Sequence, residues 1–207
     1  MMVGRQLTAD FHDFLRTRRS IRRFKPDPVP AEALERVLQT AAFAPSAHND
    51  QPWRFAVLTS AENKSLLSET LAADFHRDLQ MDGLPEADMQ ARLERSRRRI
   101  NEAPVVIILC MDTSGMDDYP DAKRQQAEKT MAVQSVALAG LQLMLAAHAE
   151  GLGSVWTCGP LFAPKVVHSA LNLPAAWQPQ AMIFMGYPDE TPKPKELKTI
   201  SELAWFF

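Results

Sequence analysis

The chain has 207 residues, 46% hydrophobic and 23% charged, with a formal net charge of -2, a length that suits one domain with a sizeable core. So near-neutral a balance gives no global reason for a nucleic-acid or membrane-surface partner. Cys110 and Cys158 stand far apart with no CxxC pair, which argues against a disulfide framework and fits a reducing compartment.

The first residues lack the apolar stretch and cleavage site of a signal peptide, so the expectation is a soluble cytoplasmic protein, residues 1–207 forming one domain. Asp10 to Arg19 reads as a helix with Phe11, Phe14 and Leu15 on one face. Pro26, Pro28 and Pro30 force an extended connection, and Pro30 sits where a second helix can begin. That helix places Leu34, Val37, Leu38, Ala41 and Ala42 at helical spacing and stops at Pro45. Trp53 to Thr59 reads as a strand, and Ser60 as the cap of a helix through about Leu71.

Asp74 to Asn101 is charged and broken at Gly83 and Pro85, which predicts two helical pieces. Pro104 to Met111 is a continuous apolar strand, buried on both faces. After a polar loop, a long helix runs from Asp121 to about Glu150, on the order of 40 Å. Its second half is apolar all round, so it is central to the core or shared with another subunit. Gln134, Gln142 and His148 make it too polar for a membrane span. Gly151 and Gly153 close it. A strand over Ser154–Thr157, a helix over Pro164–Leu171 and a strand over Ala181–Met185 follow. The proline-rich tail ends Ala204-Trp205-Phe206-Phe207, an aggregation liability unless it packs on something. Strands alternating with helices predict an α/β or α+β layered domain.

Two stretches carry the chemistry. Arg18, Arg19, Arg22 and Arg23 with Ser20 put four guanidinium groups and a hydroxyl within six positions. Paired N–H donors of arginine suit a phosphate, although a solvated basic helix end is the plainer reading of such a run. Ala44 to Arg54 is a proline-bracketed loop in which Ser46, Asn49 and Gln51 could read the edge of a planar polar ring, or simply form turns. Lys193 and Lys195 in the tail could complete a phosphate shell. The five histidines show no HxH or HExxH spacing, so no metal is expected. Cys158 reads as a small buried residue rather than a nucleophile. Arg95 to Arg99 reads as a charged helix face over the site rather than a nucleic-acid surface.

The order RRSxR, then PSxxNxQPW, then Gly-Leu-Gly-Ser-Val-Trp-Thr-Cys-Gly after a long apolar helix resembles the FMN-dependent nitroreductase family over essentially the whole chain. The resemblance implies an α+β, nitroreductase-like fold with a central, mostly antiparallel sheet flanked by helices and an extended C-terminal tail. It also implies an obligate homodimer with two FMN sites at the interface. Arg18, Arg19, Ser20 and Arg22 would then hold phosphate and ribityl, with Lys193 and Lys195 as late phosphate ligands. Pro45, Ser46, Ala47 and Asn49, with Gln51 beside them, would come from the other subunit. Cys158 and Gly159 would offer backbone contacts near the flavin N5. Segments 116–121, 124–128 and 130–135 further resemble the C-terminal flavin domain of actinobacterial γ-glutamyl ligases for the deazaflavin coenzyme, here without the ligase domain.

What the resemblance implies is ping-pong chemistry: NADH or NADPH reduces the flavin, leaves, and is replaced by a small oxidised acceptor such as a nitroaromatic, quinone or enone. The absence of GxGxxG after a strand agrees, since Gly151-x-Gly153 follows a helix. Arg22 near the pyrimidine edge would favour the anionic reduced flavin, and no side chain is expected to act as general acid. A non-catalytic flavin or deazaflavin-coenzyme binding module, or a reductase of a dehydro precursor of that coenzyme, shares the same motifs.

Overall fold

A computed structural model describes residues 2–192 and 194–207, with side chains placed from residue 10 onward. Four antiparallel strands form one sheet in the order β1-β2-β4-β3: β1 (Trp53–Leu58), β2 (Val105–Asp112), β3 (Gly153–Thr157) and β4 (Trp177–Gly186). The helices are α1 (Met2–Thr17), α2 (Ala31–Ala41), α3 (Ala61–Met81), α4 (Glu86–Glu102), α5 (Ala122–Ala149), α6 (Gly159–Phe162), α7 (Pro164–Ala170) and α8 (Ile200–Leu203).

Strand β2 is buried along its whole length because both faces are covered. Its period-two alternation sorts the layers. Val106, Ile108 and Cys110 face Leu67, Leu71, Ile100 and Val167 of α3, α4 and α7. Val105 and Ile107 face Val37 and Ala41 of α2 and Leu143 and Ala147 of α5. Leu109 and Met111 join Ala132, Val136 and Ala139 further along α5. The expected antiparallel α+β sheet between helical layers is what the chain forms. By length and hydropathy alone α5 could cross a membrane, yet Glu128 and Ser135 are buried on it and it packs along the sheet.

Several boundaries differ from the sequence reading. Helix α3 runs ten residues past Leu71 because its second half has a partner: Ala72 and Leu79 pack on Met89 and Leu93 of α4. Lys64 Nζ donates to the Ala103 carbonyl at 2.7 Å, closing the far end of α4 against α3. Strand β4 begins at Trp177, four residues early. Cys110, Met111 and Asp112 pair with 177–179, and the register slips at Leu109/Cys110, which accommodates Pro179. On the described part of α1, Phe11 is 60% exposed.

Gly151 ends α5 as expected. It takes φ +73°, its N–H donates to the His148 carbonyl and Leu152 N–H to the Ala147 carbonyl, the two bonds of a Schellman motif. Gly153 is not part of the helix exit; it is the first residue of β3. Cys158 is exposed, not buried, because β3 ends at Thr157 and the chain turns outward into α6. Cys110 is the buried thiol, and burial pushes it up to about 12.

Candidate active site

The arginine-rich segment leaves α1 at Thr17 and lies against the β3 edge. Ile21 N–H donates to the Ser154 carbonyl at 3.0 Å, and Ser20 and Ser154 form an isolated parallel bridge. Further on, Phe24 bridges Pro188, Lys25 N–H donates to the Tyr187 carbonyl and Asp189 N–H to the Arg23 carbonyl. The segment is thus clamped between β3 and the start of the tail. Thr17 Oγ1 meets His148 Nε2 at 3.0 Å, fixing the end of α1 to the end of α5. Burial, and then the Arg18 charge, lower the His148 pKa.

Arg18, Arg19, Ser20 and Arg22 share one open cleft of about 520 Å³ with Arg23, Lys195 and Glu190. Four residues of the predicted phosphate set are therefore together, and Lys195 joins them across the chain. Lys193 lies outside the described residues. Glu190 was not anticipated: its carboxylate accepts the backbone N–H of both Arg22 and Arg23. Arg99 of α4 reaches a smaller cavity shared with Arg22 and Thr157, which places one member of the charged α4 face beside the arginine segment. Arg97 instead pairs with Glu69 and Arg98 with Glu102.

The second motif sits elsewhere. Pro45 follows α2, and Ala47–Asn49 make a single 3-10 turn. Three residues here hold positive φ without being glycine: His48 (54°), Asn49 (60°) and Gln51 (49°). Such backbone costs about 1 kcal/mol or more per residue and clusters at functional sites. Ser46 Oγ accepts the Gln51 N–H at 3.1 Å, and Ala47 N–H donates to Ser135 Oγ on α5 at 3.2 Å. The Ser46 oxygen is thus committed to shaping the turn. Asn49 and Gln51 make no side-chain hydrogen bond among the described residues and project outward, exposed.

Behind the loop lies a cavity walled by Arg54, Asp112, Ser114, Glu128, Met131 and Ser135. Arg54 Nη2 pairs with Asp112 at 2.7 Å, while its Nη1 is held by the carbonyls of Gln51 and Trp53. Burial pushes the Asp112 carboxyl up, but the N–H and hydroxyl of Ser114 and the Arg54 guanidinium bring it below its usual range. Glu128 is 4% exposed and its Oε2 has no hydrogen-bond partner among the described residues. Lone charged residues inside a helix or strand give no local pattern, so only Arg54's place beside the loop could have drawn attention to this group.

The two motifs occupy opposite corners of the sheet. The loop enters β1, paired with the Met111 end of β2, whereas Ser20 flanks β3 at Ser154, on the Val105 row. Three inter-strand steps of about 4.8 Å and six residues of about 3.4 Å separate these corners by about 25 Å. The cleft that holds the arginines has no residue of the loop in its wall, and the cavity behind the loop has none of the arginine segment. Cys158 and Gly159 continue from the far end of β3, and a Cβ added at Gly159 would meet nothing within 4 Å.

A family model described as "Nitroreductase family" matches residues 15–187. The chain belongs to the nitroreductase family. A Bacillus subtilis protein assigned by name to the NAD(P)H nitroreductases is 31% identical over 190 residues, covering 92% of this chain and 90% of the relative. Among solved structures, a BluB-like flavoprotein from Clostridium difficile 630 superposes with a TM-score of 0.78 at 21% identity, over 95% of this chain and 98% of that one. An FMN-dependent nitroreductase from Clostridium difficile R20291 gives 0.63 at 24% identity, over 88% and 90%. These superpositions establish the nitroreductase fold.

Proposed function

We propose that this nitroreductase-family chain is an FMN-dependent NAD(P)H oxidoreductase acting as a homodimer, with each flavin held between two subunits. The observation that carries the reading is the separation of the motifs. One group of residues suits a phosphate and the other suits a planar ring, yet within one protomer they lie farther apart than a single flavin mononucleotide spans. A second copy would bring the loop of one subunit to the cleft of its partner.

The residues present fit FMN. Five cationic side chains and Ser20 line the cleft against one carboxylate, enough donors for a phosphate carrying nearly two negative charges. Gly159 leaves its backbone open to close approach by a flat ring. Bound FMN would supply the redox chemistry, hydride transfer from NADH or NADPH to an oxidised acceptor such as a nitroaromatic, quinone or enone. Arg18, Arg19, Ser20 and Arg22, with Lys193 and Lys195 of the tail, would anchor the phosphate and ribityl. The Pro45–Gln51 loop would orient the ring through Asn49 and Gln51, its strained shape fixed beforehand by Ser46 and Ser135. The Cys158–Gly159 backbone would line the reactive edge, and protons would come from solvent.

The segments that resemble the flavin domain of deazaflavin-coenzyme ligases contribute Met116, Glu128, Met131 and Ser135 to the cavity behind the loop. They therefore bear on which acceptor is taken, including a dehydro precursor of that coenzyme, rather than on the redox step. A cytoplasmic setting follows from the same reading, since the donor is a cellular nicotinamide.

The visible spectrum of the purified protein, followed by anaerobic NADH and NADPH additions, tests the proposal. Flavin bands that bleach are the expected result. Bands that persist would favour a flavin-binding module without turnover. No bands after FMN is added would overturn the cofactor assignment.

A further inference from the structure

We propose that Glu190 is the positioning residue of the phosphate cleft, its carboxylate holding the Arg22–Arg23 backbone so that the guanidinium groups of Arg18, Arg19 and Arg22 are left for the ligand. The proposal rests on the FMN reading given above. Residues 20–25 lie outside the regular sheet. Ile21 N–H is taken by Ser154 and Lys25 N–H by Tyr187, but between them the N–H groups of Arg22 and Arg23 have no strand partner among the described residues. Two successive peptide N–H groups aimed at one point form a small anion-binding nest. Glu190 Oε1 occupies it, accepting from Arg22 and from Arg23 at 3.2 Å, while Oε2 lies 3.5 Å from Arg23 Nε.

The carboxylate is delivered there by a fixed frame. The Phe24–Pro188 bridge and the bond from Asp189 N–H to the Arg23 carbonyl end one residue before Glu190. Its side chain is 20% exposed against 74% for Arg23. The Arg22 N–H is the largest influence holding the Glu190 carboxyl below the usual glutamate range; burial opposes it, and Arg23 adds to the lowering. A solvated carboxylate in a phosphate cleft would repel the ligand. One whose lone pairs are taken by two N–H groups and a guanidinium presents little free charge, and it denies those amides to any competing anion. It also fixes the first residue of the tail that carries Lys195 to the same wall. Losing Glu190 should therefore loosen Arg22 and Lys195 together.

The test uses the full-length protein and two ligands that differ only in the phosphate, FMN and riboflavin. Dissociation constants are measured by flavin fluorescence for the parent, Glu190→Ala and Glu190→Gln. Glu190→Ala should weaken FMN binding about tenfold, and riboflavin, which lacks the phosphate but still meets Arg22 through its ribityl chain, by only about threefold. Glu190→Gln keeps an oxygen acceptor for the amides and should recover most of that loss. FMN affinity unchanged in Glu190→Ala, or equal weakening for both flavins, would overturn the positioning role. Tighter FMN binding by Glu190→Gln would overturn it too, because the carboxylate would then be opposing the phosphate. Should Glu190→Ala fail to fold, Glu190→Asp takes its place, because it keeps the charge but draws the carboxylate back from the Arg22 and Arg23 amides: FMN bound as tightly as by the parent, or both flavins weakened alike, counts against the proposal. A parent protein that binds neither flavin sinks the FMN assignment itself, which is a separate outcome.

Discussion

Gly153 and Ile21 meet with no room for a side chain between them. A Cβ on Gly153 would lie 2.7 Å from Ile21 Cβ and within 2.9 Å of two further Ile21 carbons. The second glycine of the Gly-Leu-Gly motif therefore admits the arginine-rich segment to the β3 edge, and two motifs far apart in sequence form one structural unit. Gly153→Ala should cost about 1–3 kcal/mol of stability and displace Ser20 and Arg22 from the cleft. Urea unfolding with an FMN titration checks this; an alanine variant equal to the parent in both would mean Ile21 yields at no cost.

Arg18 tests the cleft directly. It is half-buried and supports no strand pairing, so Arg18→Ala should leave the fold intact while weakening FMN binding about 10- to 100-fold. A variant that stays fully yellow after dialysis would remove Arg18 from the phosphate assignment.

Acid should act through the lowered carboxyls, two of which line the candidate site. Asp112 and Glu190 both sit below their ordinary values in the folded protein. The stability they contribute is present above about pH 4 and lost as pH falls through the lowered folded-state values. Arg54→Met removes the guanidinium and leaves only Ser114 to oppose burial at Asp112, so the carboxyl should move back up and acid unfolding should begin at higher pH than in the parent. Tryptophan fluorescence followed from about pH 7 to about pH 3 reads the shift; coincident curves would show that the ion pair contributes nothing.

Glu128 is expected to trade stability for use. A buried carboxylate oxygen without a partner is costly, so Glu128→Met should raise stability by about 1 kcal/mol, seen as a higher thermal midpoint. Acceptor turnover should fall in the same variant if the cavity serves the acceptor. A lower midpoint would indicate that Glu128 has a partner in the assembled protein.

Leu138 and Leu141 on α5 are each 44% exposed, and Trp205 on the tail is 85% exposed. A second copy covering these surfaces should make the parent a dimer in sedimentation, and Leu141→Glu or removal of residues 197–207 should shift it toward monomer. A parent that sediments as a monomer would overturn the two-subunit site.

Much of this was legible locally. The run Val105 to Met111 reads as a doubly covered strand, and α5 announced itself by its length and the apolar surface of its second half. The cluster Arg18 to Arg23 and the Pro45–Gln51 loop declared their chemistry by residue type alone. What was misread depended on distant partners. Nothing near Leu71 says that α3 continues, because its second half is held by Met89 and Leu93. Nothing near Ala181 says that β4 starts at Trp177, because the pairing with Cys110–Asp112 decides it.

By itself the sequence determined the periodicities, the helix caps, the glycine exit at Gly151 and the kinds of ligand each motif could hold, since all of these arise from interactions a few residues long. Only the tertiary structure decided where those motifs sit: at opposite corners of one sheet, with Gly153 against Ile21 and Ser135 under Ala47. The bond from the Arg22 N–H to the Glu190 carboxylate joins residues 168 positions apart. Such contacts exist only once strand order has brought the segments together, and no short-range pattern encodes that order.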